Sequence, residues 1–571
     1  MTSARRGLLL AFLVALAAAG ALASTLDHGF VYDDHRFVEW NRHLDSVASA
    51  PWTAFDPATT TLDGAEPGMW RPLRTLSLAL DRALFGPGPL GHHIASLLLH
   101  GLAAALVFAL GRALGVMDLG AAAGAAIFAF HPVQVEVVAW ISSRGDLLAA
   151  VGVLAAVLVH LRRGPSWATA GLAGFAFLAK ESAVAAPLLL VVADLAAGGW
   201  IRVKERVRGP VVGTAVLLAL VAVRGAVLSA AGGTFGQGEG LGLDAGERWA
   251  ALPAMGGWYA WRTLAPLPGQ FDYRLEPSLS WALPFLGGLA LLAAAGRPGV
   301  PCRVRAPVGL AVLWTVAALA PVTLLQVVFP LKILVADRFL YLGLAGPALA
   351  LGFLLTLPGP ATARVLFVAS PALLFATLSS VGSWKGDAEL WERVLERSPA
   401  HPRALHGLAL ARETESPVES ARLYRSYLEQ VPEDAGAWYR YGLTEERLAQ
   451  AEEEPVIREG RLKSASGAYH TANRLWLEGE TDGRERGLPG TRLGRACVLA
   501  VLGQDQPAAM EAMDGYSLLE KASPEIRREL EPRLEVLRAW AASRGQAALL
   551  ERLGGGKPEE SPPVVENGNP K

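Results

Sequence analysis

Cysteine is nearly missing from this chain: there are two in 571 residues, Cys302 and Cys497, almost two hundred positions apart. Neither a disulfide framework nor a cysteine-based zinc site can be built from them. Charge is scarce too, with 18% Asp, Glu, Lys and Arg against 52% hydrophobic residues and a mean hydropathy of +0.31. Soluble domains carry about 25% charged residues, so an ordinary water-soluble enzyme is excluded. An excess of either sign is also lacking, since 52 Lys and Arg face 53 Asp and Glu for a net charge of -1. No global field exists to attract nucleic acid.

What the chain has instead is apolar runs. A spanning helix needs roughly 20 mostly apolar residues, because about 30 Å of hydrocarbon must be crossed at about 1.5 Å per residue. Such runs lie near 7–24, 92–114, 119–139, 146–161, 167–179, 183–197, 210–230, 279–296, 307–329, 339–357 and 363–381. The expected fold is therefore all-α, a polytopic membrane protein of about eleven spans. The first run follows Arg5 and Arg6 and ends at Ala21-Leu-Ala23, a pattern that also fits a cleaved signal peptide.

Cationic loops set the expected orientation. Arg162 and Arg163, then Arg202, Lys204, Arg206 and Arg208, then Arg297, Arg303 and Arg305 fall on the side of Arg5 and Arg6, the expected cytoplasmic side. The other side receives a first loop at about 25–91, a second at about 231–278, and everything after about Gly382. From Trp384 the composition turns charged. Ala404-Leu-His-Gly407-Leu408 is echoed by Trp438-Tyr-Arg-Tyr441-Gly442-Leu443 at an offset of about 34 to 35 residues, the period of tetratricopeptide repeats. Ala468-Tyr469 with Ala472 reads as a degenerate third unit, and an ordinary helical bundle is the alternative. The expected organisation is a membrane domain at 1–383, a tetratricopeptide-like domain at 384–553, and a disordered tail at 554–571 rich in Gly, Pro and Glu.

Ionisable residues at span ends are expensive and are functional candidates by default. One side collects Asp33-Asp34, His131, Glu136, Arg144, Asp146, Lys180-Glu181, Asp272 and Asp337-Arg338. Each has a plainer reading. The paired acids can cap a helix, Arg144 and Arg338 can snorkel to the interface, Lys180 and Glu181 can pair locally, and His131 before Pro132 can be structural. Gathered on one side, they are suited to acid–base chemistry beside an anion. Adjacent acids can hold a cation, but no metal-ligand pattern compels one, because a site of that kind needs more oxygen ligands.

Phe30-Val-Tyr-Asp-Asp34, Trp70-Arg-Pro-Leu73, Gly91-His-His-Ile94, Leu99-His100, Phe130-His-Pro-Val133, Glu136-Val-Val-Ala139, Ser143-Arg-Gly-Asp-Leu147, Lys180-Glu181, Asp272-Tyr273 and Asp337-Arg-Phe-Leu-Tyr-Leu342 follow one another in order. With Trp384 to Pro399, this series resembles the transmembrane and tetratricopeptide repeat-containing (TMTC) family, and more broadly the GT-C membrane glycosyltransferases that include protein O-mannosyltransferases. The resemblance implies inverting transfer of a sugar, mannose above all, from a polyprenyl-phosphate donor to a protein hydroxyl. A serine or threonine hydroxyl needs a carboxylate base, which ranks Asp34 first and Asp33 as tuner or alternate. Arg144, Lys180 and Arg338 are the cations expected to stabilise the leaving phosphate. Trp70 and Arg71 are expected to help close the loop over the site, with His131, Glu136, Asp146, Glu181 and Asp337 in support. The repeats are the expected surface for a peptide acceptor.

The same base and donor site would also serve a lipid or envelope-glycan acceptor. A membrane-anchored repeat scaffold without catalysis is the non-enzymatic alternative, and a transporter is a third, which would place polar residues near the midplane. The Ala- and Arg-rich composition suits a bacterial inner membrane with the site facing outward.

Overall fold

The structure is a computed structural model and describes residues 3–45, 55–60, 69–231, 243–300, 302–328, 333–355, 360–479 and 484–554. The tail expected to be disordered lies outside these, apart from its first residue. All regular structure among the described residues is helical, in agreement with the all-α expectation. The chain forms two compact units, 1–394 and 395–571, so residues 384–394 go with the first unit and not with the second.

Each expected run is occupied by a helix. In the first unit these are α1 (Ser3–Ala21), α2 (Pro72–Phe85), α3 (Pro89–Ala113), α4 (Asp118–Phe130), α5 (Gln134–Ala139), α6 (Arg144–Arg163), α7 (Trp167–Ala179), α8 (Ala186–Arg206), α9 (Arg208–Ala230), α10 (Ala245–Leu264), α11 (Leu279–Ala295), α12 (Cys302–Val328), α13 (Asp337–Leu340), α14 (Ala345–Leu354), α15 (Pro360–Val381) and α16 (Asp387–Arg397). Five helical stretches among the described residues are long and apolar enough to cross a membrane: Pro89–Ala113, Ile141–Arg163, Glu181–Arg206, Arg208–Ala230 and Val304–Val328. Shorter apolar helices, α4, α7, α11 and α14, pack among them. The protein is an integral membrane protein.

The run at 119–139 is not one helix. His131 takes an extended conformation because the ring of Pro132 disfavours a helical residue before it, and the chain restarts as α5. The break turns Glu136 and the segment after it across the end of the bundle. Packing is close where small residues meet. A Cβ on Gly101 of α3 would come within 2.8 Å of the Ala15 carbonyl, so glycine there lets α1 lie directly on α3.

At the end of the bundle away from Asp34, α6 and α8 are tied by a buried triad. His160 Nε2 lies 2.6 Å from Asp194 Oδ2, and Arg202 donates to Asp194 Oδ1 at 3.0 Å. Gly199 breaks α8 between those two partners with φ 66°, a backbone angle at which a Cβ is strained.

The second unit is a series of antiparallel helix pairs: α17 (Pro402–Arg412) with α18 (Pro417–Leu428), α19 (Ala435–Ala451) with α20 (Pro455–Glu478), α21 (Arg484–Val501) with α22 (Asp505–Leu519), and α23 (Pro524–Ser543) with α24 (Ala547–Arg552). Pro402, Pro417, Pro455 and Pro524 each open a helix, where the missing N–H costs nothing. Gly442, one of the echoed glycines, lies against the Tyr469 ring, 2.8 Å from where its Cβ would stand, so the repeat motif marks a packing contact between α19 and α20.

Candidate active site

The segment 136–146 organises the site, because Glu136, Ser142, Arg144 and Asp146 each hold a residue from elsewhere in the chain. Glu136 accepts from the Arg338 guanidinium and, at 3.0 Å, from its backbone N–H. Ser142 donates its N–H and its hydroxyl to Asp34 Oδ1 at 2.7 and 2.6 Å. Asp146 accepts from Lys180 Nζ at 2.6 Å and from the Ser143 hydroxyl at 3.3 Å. Trp140 lies under the Arg338 guanidinium at 5.3 Å, and Phe339 lies under both Arg338, at 4.8 Å, and Lys180, at 5.8 Å. Asp34, Lys180 and Arg338 are thus fixed against one short stretch.

Beside this row, Arg71 forms a two-pronged ion pair with Glu181 at 3.0 and 2.5 Å. Trp70 donates its indole N–H to the Phe55 carbonyl at 2.9 Å. Lys180 and Glu181 are therefore not paired only with each other: one turns to Asp146 and the other to Arg71.

The Asp33-Asp34 turn is held from two directions. Tyr32 stands at φ 51°, strained for a residue with a side chain. Asp387 accepts from its N–H at 2.6 Å and lies 2.9 Å from His35 Nε2, while Glu39 lies 2.5 Å from His35 Nδ1. The hydrogen bond to Asp387, opposed by partial burial and aided by Glu39, holds His35 as an imidazolium, pushed up to about 9. The Tyr32 ring packs on Trp140, Phe271 and Trp391. Asp34 itself is wholly buried. Burial pushes its carboxyl up to about 7, against the pull of the Ser142 and Val31 hydrogen bonds. Asp33 is only half-buried.

Three of the expected residues stand apart from this cluster. Arg144 is buried and fully engaged, with Asp81 at 2.6 Å, the His92 carbonyl at 2.6 Å and the Ser96 hydroxyl at 3.2 and 3.3 Å. It ties α2, α3 and α6 together. Asp337 accepts from Arg262 at 2.9 and 2.6 Å and from the Tyr273 hydroxyl at 2.9 Å, which binds α10 to α13 and brings the Asp272-Tyr273 motif to its partner. His131 is buried, and its Nδ1 accepts from the Val133 N–H at 3.3 Å, closing the turn into α5. Among the described residues no group of three or more His, Cys, Asp or Glu side chains is placed to hold a metal ion.

Sequence reasoning missed Ser142, Arg74, His35 and Asp387. Ser142 adjoins the Ser143-Arg-Gly-Asp146 motif and Arg74 follows Trp70-Arg-Pro-Leu73, so both were within reach. Asp387 is 352 positions from His35 and carries no local signal.

The arrangement is that of a membrane protein with a buried carboxylate and a row of cation–carboxylate pairs at one end of its helices. No protein-family model matches the chain. It is 36% identical over 196 residues to the protein O-mannosyl-transferase Tmtc1 of Drosophila melanogaster, which covers 32% of this chain and 23% of that protein. Tmtc2 of the same fly is 35% identical over 192 residues, covering 31% and 20%, and human TMTC2 is 30% identical over 198 residues, covering 32% and 23%. The resemblance to the TMTC family read from the motifs is carried by these alignments. The matched stretch spans only about a quarter of the length of these relatives. Among solved structures, ArnT from Cupriavidus metallidurans bound to undecaprenyl phosphate is similar with a TM-score of 0.36 and 15% identity, over 86% of this chain and 79% of that one.

Proposed function

We propose that the protein is an inverting membrane glycosyltransferase of GT-C type that moves a sugar, mannose above all, from a polyprenyl-phosphate donor to a serine or threonine hydroxyl of a protein. The observation that carries this reading is the Asp33-Asp34 turn fixed on Ser142, next to Lys180 and Arg338 on the same short segment. The relatives named protein O-mannosyl-transferases support it. A membrane location suits a donor whose leaving group is anchored in lipid.

Exposure divides the two acids. Both oxygens of Asp34 accept hydrogen bonds from the chain, and no part of it is exposed. Asp33 is the acid that reaches an acceptor, which reverses the order in which the sequence ranked the pair. In the reaction, Asp33 takes the proton from the acceptor hydroxyl as its oxygen bonds to the anomeric carbon. The bond from that carbon to the phosphate oxygen breaks, and the lipid phosphate leaves with the electron pair, stabilised by Lys180, Arg71 and Arg338. Arg144 braces the helices behind this row. The second unit supplies the acceptor surface, in the manner of stacked repeats with a concave groove. The site faces outward from a bacterial inner membrane.

The test is sugar transfer by purified protein in liposomes, with polyprenyl-phosphate mannose and a pool of Ser/Thr-rich peptides. Transfer by the wild type and none by Asp33→Asn supports the reading. Transfer only to lipid acceptors replaces the acceptor. No transfer from any lipid-linked donor, with peptide binding by the intact chain, gives way to the scaffold.

A further inference from the structure

Arg74 sits on α2, one turn past Arg71, and only 2% of it is exposed. Its guanidinium lies over the Phe37 ring at 4.7 Å. Among the described residues it makes no hydrogen bond and no ion pair through its side chain, and its buried Nε has no partner. The charges that act on it are those of Arg71, Asp33, Glu181 and Asp34. Asp33, Glu181 and Asp34 are acids, but among the described residues none of them meets the Arg74 side chain in a hydrogen bond or an ion pair: Glu181 is paired with Arg71, and Asp34 accepts from Ser142 and Val31.

Two arginines of this unit that are buried as deeply, Arg144 and Arg262, give the contrast. Arg144 has a carboxylate, a carbonyl and a hydroxyl, and Arg262 has both oxygens of Asp337 and the Leu267 carbonyl. A buried cation that makes no hydrogen bond and no ion pair is costly on general grounds, and such a cost persists where it serves a function. Burial accordingly pushes the Arg74 guanidinium down to about 9. The planar fork of an arginine matches the oxygens of a phosphate, and a desolvated fork binds one more strongly than an exposed one.

We propose that Arg74 is a phosphate-binding residue that takes the oxyanion of the lipid-linked donor, completing a cationic cradle with Arg71 and Lys180. The assignment rests on the glycosyltransferase reading above. Arg74 contacts the leaving group, whose oxygens supply the hydrogen-bond acceptors that its side chain lacks among the described residues. Its removal therefore separates binding from stability: the unliganded protein keeps or gains stability while phosphate recognition falls.

The experiment compares wild type, Arg74→Leu, Arg74→Gln and Arg144→Met in nanodiscs, alone and with polyprenyl phosphate or inorganic phosphate, by thermal melting and direct binding. Polyprenyl phosphate is expected to raise the melting temperature of the wild type. Arg74→Leu and Arg74→Gln are expected to melt at or above the unliganded wild type and to bind polyprenyl phosphate at least tenfold more weakly, while Arg144→Met melts well below it. Polyprenyl-phosphate affinity unchanged in both Arg74 variants overturns the proposal. So does a fall in unliganded melting temperature, in both, as large as that of Arg144→Met, which makes Arg74 a structural residue. Inorganic phosphate binding as tightly as the lipid overturns the lipid assignment. Sugar transfer by the wild type, measured alongside, separates the two ideas: transfer with unaltered binding in the variants sinks only the role of Arg74. Neither transfer nor polyprenyl-phosphate binding by the wild type sinks both.

Discussion

Helix α6 has a polar cluster at each end, and the two are built differently. At the His160 end the partners are Asp194 and Arg202, both from α8, and the group closes on itself with one acid between two bases. At the other end Ser142, Arg144 and Asp146 reach residues from four separate stretches, among them Asp34, Asp81 and Lys180. Nearby pairs join residues as far apart as Tyr32 and Asp387. One end holds two helices together. The other holds a strained turn, a carboxyl pushed up to about 7 and, on α2, a buried guanidinium whose Nε has no hydrogen-bond partner among the described residues. Buried polar groups that satisfy one another stabilise; those left in tension are candidates for function.

The sharpest way to break this contrast is to neutralise one acid at each end. Asp33→Asn is expected to lower transfer by about 10²- to 10⁴-fold, the usual contribution of a general base. Asp194→Asn is expected to leave transfer per folded molecule unchanged while lowering the melting temperature. Equal losses of transfer would erase the distinction. Next in size is Arg144→Met, which strands Asp81 in a buried site and is expected to cost about 3–5 kcal/mol of stability. Chemical denaturation in detergent measures it, and a fully stable variant would remove Arg144 from the frame. A smaller effect follows from Asp387→Ala, which releases the Tyr32 amide and His35. Transfer is expected to fall about tenfold through kcat with KM little changed, as for a displaced catalytic group, and Asp387→Glu is expected to recover part of it.

The smallest effect is in pH. The folded state raises His35 from 6.5 to about 9, so its ion pairs contribute stability that is fully present below pH 6.5 and lost as pH rises through about 9. Thermal melts of the wild type are expected to decline across that window more steeply than those of His35→Gln. Parallel curves would show that the imidazolium does not hold the turn.

These contrasts also explain what could be read in the sequence. Helix positions were legible because twenty apolar residues in a row have few alternatives, and the gathering of Asp34, Lys180 and Arg338 was legible because helix ends alternate between two faces. The break at Pro132 was masked because apolar residues continue past it, Val135, Val137, Val138 and Ala139 on α5 following the apolar run of α4. The role of Arg144 was misjudged for a different reason. Whether a cation faces a substrate or another side chain depends on Asp81, which lies 63 positions away on a different helix and has no motif of its own. Asp33 and Asp34 are adjacent and chemically alike, so only burial could separate them.

Helices α4 and α7 have 13 residues each, about 20 Å of length where a bilayer core needs about 30 Å. Each stops at the same end, α4 at His131 and α7 at Lys180. The shortfall of about 10 Å leaves that end recessed into the bilayer, below the level at which a full-length helix would surface. In the proposed reaction a lipid-borne donor would enter that recess from the side, without being lifted out of its leaflet.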